Sequence, residues 1–286
     1  MNARTDLQVL ARPEVYFATL PSGTRMPYVT RGAGEPLVFV HGSLCDYRYW
    51  NSQADVLSQR YQCVSVSLGH YWPGDDMAIQ GTFSWSTHVA ELAEFITAMD
   101  LGPVHLVGHS RGGCVAFHLA RDYPYLVKSL TLADPGGPLQ IDGMPEAALP
   151  PATIALRERV ADLIDAGAIE EGLEMFVDSV SMPGIWRKSP TAFRTMATDN
   201  AGTLPKQFRD PLPAYTQAAA AGIRCSTLLI AGANSPAMYR ANVESLAAWI
   251  PSAGQRMIAG ASHGMNVTHA AEFNRLLDAF VSSVDA

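Results

Sequence analysis

The chain has 286 residues, of which 48% are hydrophobic and 16% charged, and carries a formal net charge of −7. That hydrophobic share supplies a large core and excludes a disordered chain, and the acidic balance disfavours nucleic acid as a partner. No apolar stretch approaches the roughly 18 uninterrupted residues that span a bilayer, and Met1 to Leu10 is read as neither signal peptide nor anchor. A cytoplasmic protein with no membrane association is therefore expected.

The segments Val15 to Leu20 and Met26 to Arg31 flank Pro21-Ser22-Gly23-Thr24, a pattern that predicts an opening hairpin. An apolar run, Leu37 to Val40, predicts a buried strand; a helix follows around Tyr49 to Gln59, then a strand over Cys63 to Leu68. Val89, Leu92, Phe95 and Ile96 share one face of a helix expected from about Ser86 to Met99. Val104 to Val107 and Leu130 to Ala133 read as two further strands. Strands alternating with helices imply a parallel sheet.

After Asp134-Pro135-Gly136-Gly137 this alternation stops until Ser226 to Ile230. Between them lie helical faces built from Leu156, Val160, Leu163 and Ile164 and from Ile169, Leu173, Phe176, Val177 and Val180, entered through Pro145, Pro150 and Pro151. The pattern then resumes with a helix near Met238 to Trp249, a strand over Arg256 to Ile258, and a last helix carrying Phe273, Leu276, Leu277, Phe280 and Val281.

Gly108-His109-Ser110-Arg111-Gly112 stands where a strand turns sharply into a helix. Such a turn lifts a serine hydroxyl out of the backbone at the carboxyl edge of a sheet, and the glycines keep side chains out of the tight corner. His41-Gly42-Ser43 ends an earlier strand, and Gly260-Ala261-Ser262-His263-Gly264 follows a late one.

Strand-end His-Gly, serine and late histidine, in this order, resemble the α/β-hydrolase fold family from about Glu14 to Val284. The stretches His41 to Arg48, Gly108 to Gly113 and Leu132-Ala133-Asp134-Pro135 look like a branch of small serine hydrolases that takes its acid after the sixth strand. The resemblance implies a mostly parallel eight-stranded sheet flanked by helices, with a helical cap inserted after the sixth strand. It divides the chain into a core over 1–137, a cap over 138–221 and the rest of the core over 222–286.

A serine hydroxyl needs a base to take its proton during attack, and His263 lies in the loop where this fold delivers one. The base needs an acceptor to hold its tautomer. The common family pattern places an Asp three residues beyond a glycine after the seventh strand, but Gly232-Ala233-Asn234-Ser235 offers a serine there. Asp134 is therefore taken as the acid. The oxyanion donors are expected from the Arg111 amide and the Ser43 amide, with Leu44 as the competitor of Ser43.

Leu44, His70, Trp72, Phe176, Trp186 and Met238 are expected to border the substrate, with Tyr71, Met175, Met182, Met196 and Tyr239 as further candidates. Methionines and aromatics at a lid suit an apolar acyl or aryl group. Cys45, Cys63, Cys114 and Cys225 lack metal-site spacing and are read as buried thiols, with Cys45 nearest the site.

The expected activity is a serine hydrolase needing no cofactor or metal, acting through an acyl-enzyme on a small hydrophobic carboxylic ester or lactone. The alternatives are a C–C bond hydrolase of a diketone-type substrate and a noncatalytic ligand-binding protein on the same fold. Haloalkane dehalogenation is disfavoured because Ser110 stands where that chemistry needs a carboxylate. Oligomeric state is open.

Overall fold

The computed structural model describes residues 13–74 and 81–285; the amino-terminal segment Met1 to Leu10 lies outside them. Among the described residues ten strands occur in the order β1 (Tyr16–Thr19), β2 (Arg25–Arg31), β3 (Pro36–Val40), β4 (Gln62–Val66), β5 (Val104–His109), β6 (Val127–Ala133), β7 (Leu139–Gln140), β8 (Tyr215–Thr216), β9 (Ser226–Gly232) and β10 (Ala253–Ile258). Eight of them form one sheet in the order β1-β2-β4-β3-β5-β6-β9-β10, and β7 pairs with β8 separately. Pairings β1 with β2 and β2 with β4 are antiparallel, and the rest of the large sheet is parallel.

Helices α1 (Asn51–Leu57), α2 (Trp85–Ala98) and α3 (Arg111–Asp122) connect the first strands. Between β6 and β9 lie α4 (Pro151–Asp165), α5 (Ile169–Val180), α6 (Ile185–Lys188), α7 (Thr191–Asp199), α8 (Thr203–Arg209) and α9 (Gln217–Ala221). The chain closes with α10 (Ala237–Trp249), α11 (Met265–Thr268) and α12 (Ala270–Asp285).

The period of two along a strand decides how the sheet is covered. In β3, Val38 and Val40 face a core completed by Leu92 and Phe95 of α2, Phe117 of α3 and Leu246 of α10. Leu37 and Phe39 face the opposite core, with Trp50, Ala54, Phe273 and Leu277 from the α1 and α12 side. Both faces of the central strands are therefore dry, which explains why β5 is buried at every position. The helices after β6 have a third cluster of their own, Val160, Leu173, Trp186 and Leu204, into which Leu44 projects from the loop after β3.

Candidate active site

β5 and α3 meet at Ser110, whose backbone has φ 53 and ψ −120. A non-glycine residue held there costs about 1–3 kcal/mol and persists only where the surroundings impose it. Ser110 N donates to Ala133 O at 3.1 Å, and the amides of Gly113 and Gly136 both donate to Ser110 O at 2.9 Å. Close packing demands the glycines: a Cβ on Gly108 would lie 2.4 Å from Gly112 O, and one on Gly112 would lie 2.3 Å from His41 O. The Arg111 amide opens α3 and has no acceptor inside the helix, so it is a donor at the positive end of the helix dipole.

The loop after β3 is pinned by His41, which is wholly buried. Its Nδ1 donates to Gly42 O at 2.8 Å and its Nε2 accepts from Leu68 N at 3.0 Å. Burial pushes its pKa down to about 4, so the neutral ring serves as a fixed bracket. Ser43 and Leu44 then line the same cavity as Ser110. The Ser43 hydroxyl donates to Gln207 Oε1 at 2.6 Å, tying this loop to α8.

Asp134 directly follows β6, has φ 41 and is wholly buried. His263, in the loop after β10, donates Nδ1–H to Asp134 Oδ2 at 3.1 Å, which leaves Nε2 as the acceptor. The Ser235 hydroxyl donates to the same carboxylate oxygen at 2.5 Å. His109 Nε2 donates to His263 O at 2.8 Å, and burial first, the neighbouring His263 second, hold the His109 ring neutral.

On the other side of the imidazole, the Tyr239 ring stacks on His263 with centroids 4.0 Å apart and planes at 22°. Burial first, and the Asp134 charge second, push the Tyr239 hydroxyl well above the usual tyrosine pKa. The phenol therefore stays protonated. Such a cluster can deprotonate a hydroxyl and offer two backbone N–H groups to the charge that forms.

The cavity above these groups measures about 1180 Å³, and among the expected residues Ser43, Leu44, Ser110, Arg111, Phe176, Met238 and His263 line it. Tyr239 and Cys45 do so as well. Of the further candidates Met182 lines the cavity too, whereas Tyr71, Met175 and Met196 do not; His70, Trp72 and Trp186 are also placed elsewhere, each because it has better partners. His70 donates Nε2–H to Gly81 O at 2.7 Å and lies beside Phe83. Trp72 stacks under the Arg48 guanidinium at 3.9 Å and donates its amide to Asn200. Trp186 fills the interior of the helices after β6 and donates Nε1–H to Glu170 at 2.8 Å. Cys45, Cys63 and Cys114 are buried and Cys225 is half-buried. Burial raises the Cys45 thiol well above its usual pKa, so it offers no thiolate to the cavity.

Sequence reasoning missed the contacts of Ser235 and Gln207 and the placement of Arg157 on the cavity. Ser235 stands at the position the common pattern gives to the acid, and that coincidence is the signal that points to it. Arg157 lies one turn before Val160 and two before Ile164, so a charge falls on the inward face of α4.

A model of the "Alpha/beta hydrolase family" matches residues 37–276 of this chain. The chain belongs to the alpha/beta hydrolase family. Among relatives, it is 31% identical to a soluble epoxide hydrolase of Corynebacterium sp. (strain C12) over 113 residues, 40% of this chain and 39% of that protein. It is 27% identical to the provisionally named carbamate hydrolase RutD of Klebsiella pneumoniae (strain 342) over 80% of this chain and 84% of that one. The solved structure of Est816, described as an N-acyl homoserine lactone degrading enzyme, superposes with a TM-score of 0.70 at 25% identity, covering 90% of this chain and 97% of the other. The match thus spans about two fifths of the length of the first of these relatives. As in other alpha/beta hydrolases, an eight-stranded, mostly parallel sheet carries the cluster at one edge. Among the described residues, no helix is long and apolar enough to cross a membrane.

Proposed function

We propose that the protein is a serine hydrolase of a small hydrophobic carboxylic ester or lactone, with Ser110 as nucleophile, His263 as base and Asp134 as acid. The observation that carries this reading is the 3.1 Å bond from His263 Nδ1 to Asp134 Oδ2, which leaves His263 Nε2 free to serve a strained serine on the same cavity. Est816, named for lactone degradation, lends support to the lactone arm.

In this mechanism Ser110 Oγ attacks the carbonyl carbon while His263 Nε2 takes the hydroxyl proton. The oxyanion accepts N–H bonds from Arg111 and Ser43, each such donor being worth roughly 3 kcal/mol in the transition state. Collapse breaks the bond to the alcohol oxygen, which receives the proton from His263 and leaves. Water, deprotonated by the same imidazole, then attacks the acyl-enzyme and restores Ser110. We read residues 138–221 as a cap whose inner face, at Phe176 and its neighbours, selects the acyl or aryl group.

The test is turnover of 4-nitrophenyl esters of increasing acyl length, alongside lactones, by the natural chain and Ser110→Ala. Hydrolysis that vanishes in Ser110→Ala supports the reading. Absence of turnover with any activated ester, while a hydrophobic ligand still binds, returns the protein to the ligand-binding alternative.

A further inference from the structure

Arg157 differs from the other arginines of the helices between β6 and β9. Arg159, Arg187, Arg194 and Arg209 each lie within 4.0 Å of an acidic oxygen, on Glu171, Glu174, Glu170 and Asp165 respectively. These four are exposed or half-exposed. Arg157 is turned inward, lines the same cavity as Ser110 and is half-buried, yet among the described residues it makes no hydrogen bond or ion pair. Its recorded neighbour is the Phe208 ring, 5.4 Å from the guanidinium carbon. The other buried cation of the cavity, Arg111, is committed to Asp210 at 2.7 Å. Lys188 and Glu146 also line the cavity, but both are exposed.

Withdrawing a guanidinium from water without an anion is unfavourable. Burial lowers the Arg157 pKa, and the guanidinium lines the same cavity as Tyr239 and Ser110. A guanidinium stays charged even so, and its planar fork matches a carboxylate through two parallel N–H bonds. One cation balances one carboxylate.

We infer that Arg157 forms an anion subsite in the cavity, so that the natural substrate is an ester or lactone whose apolar body also bears a carboxylate. The inference rests on the serine-hydrolase reading for the word ester, but the subsite itself does not. Phe208 and Phe176, whose rings lie 5.8 Å apart, give the apolar body its wall, and the carboxylate closes the open valence of Arg157.

The experiment is calorimetric titration of the full chain with suberate and with octanoate, which share a chain length and differ by one carboxylate. Suberate should bind the natural protein more tightly. Arg157→Gln should reduce the suberate-to-octanoate affinity ratio by about tenfold or more, and Arg157→Lys should retain most of it. Arg157→Gln should likewise lower the ratio of kcat/KM for mono-4-nitrophenyl suberate over 4-nitrophenyl octanoate, and Arg157→Lys should keep most of it. A melting curve for each variant reports whether it is folded. Suberate bound no better than octanoate by the natural protein, or an unchanged ratio in folded Arg157→Gln, would overturn the subsite whatever the enzyme does with esters. A ratio that collapses as expected, in a protein that hydrolyses neither ester, would instead uphold the subsite and sink the hydrolase reading.

Discussion

Ser235 Oγ donates a 2.5 Å hydrogen bond to Asp134 Oδ2, the same oxygen that receives His263 Nδ1–H. The place at which the common family pattern carries an acid is thus occupied by a residue that hydrogen-bonds a carboxylate supplied from the end of the neighbouring strand. Because Asp134 Oδ1 has no partner among the described residues, the shared oxygen bears the alignment.

From this arrangement, Asp134→Asn should fold and lose on the order of 10² to 10⁴ in kcat, since the imidazole would favour the wrong tautomer. Ser235→Ala should cost less, about tenfold, through one lost bond to a charged group. In the double variant Asp134→Ala with Ser235→Asp, a carboxylate grown from position 235 should restore part of the activity lost in Asp134→Ala. Steady-state kinetics on one activated ester decides all three, and no recovery in the double variant would show that the second position cannot reach His263.

Tyr239 separates ring from hydroxyl as tools. Its ring stacks on His263 at 4.0 Å, and the residue lines the same cavity as Ser110. Tyr239→Ala should lower kcat about tenfold by releasing the imidazole from its stack, given that such aromatic contacts contribute roughly 0.5–1.5 kcal/mol beyond buried area. Tyr239→Phe should cost less. Equal losses in the two variants would move the role from the ring to the hydroxyl.

Stability should fall as the pH drops below 6.5, before carboxylates begin to titrate. Burial lowers the pKa of His41 and of His118 from 6.5 to about 4. Below pH 6.5 the unfolded chain therefore binds protons that the folded chain refuses. The stabilisation is fully present above that pH and is lost progressively towards pH 4, by up to about 3 kcal/mol per histidine. Urea denaturation from pH 7.5 to 5 measures the slope. His118, whose ring nitrogens have no hydrogen-bond partner among the described residues, allows a clean control: His118→Leu should make the curve shallower. An unaltered slope in that variant would assign the pH dependence to other groups.

Phe176 and Trp186, alike in sequence as aromatic residues of the inserted helices, should respond differently. Phe176 lines the cavity, so Phe176→Ala should change relative kcat/KM among acyl chains. Trp186 is fully buried in the interior of those helices and holds Glu170. Trp186→Ala should therefore destabilise by about 3–5 kcal/mol and affect all acyl chains alike. Selectivity changes confined to Trp186→Ala would reverse this division.

Local patterns announced the parts of this molecule that depend on neighbouring residues. Gly108 to Gly112 marks a strand turning into a helix, and the near-continuous apolar runs of β3 and β5 mark a sheet covered on both faces. Ser110, Asp134 and His263 each end or follow such a run. The hydrogen bond between Ser235 and Asp134 joins residues 101 positions apart, and that from Ser43 to Gln207 spans 164, so no periodicity could pair them. Trp72 and His70 were drawn towards the pocket by their aromatic character alone. Their positions are set instead by Arg48, Asn200 and Gly81, partners whose proximity depends on the packed fold.

The central claim is that Ser110 is a nucleophile activated by His263, and covalent labelling tests it most directly. After exposure to an organophosphate or sulfonyl fluoride, intact-protein mass spectrometry should show a single adduct, absent from Ser110→Ala and strongly reduced in His263→Ala. An adduct that persists at full yield in Ser110→Ala would contradict the account and remove this serine from the chemistry.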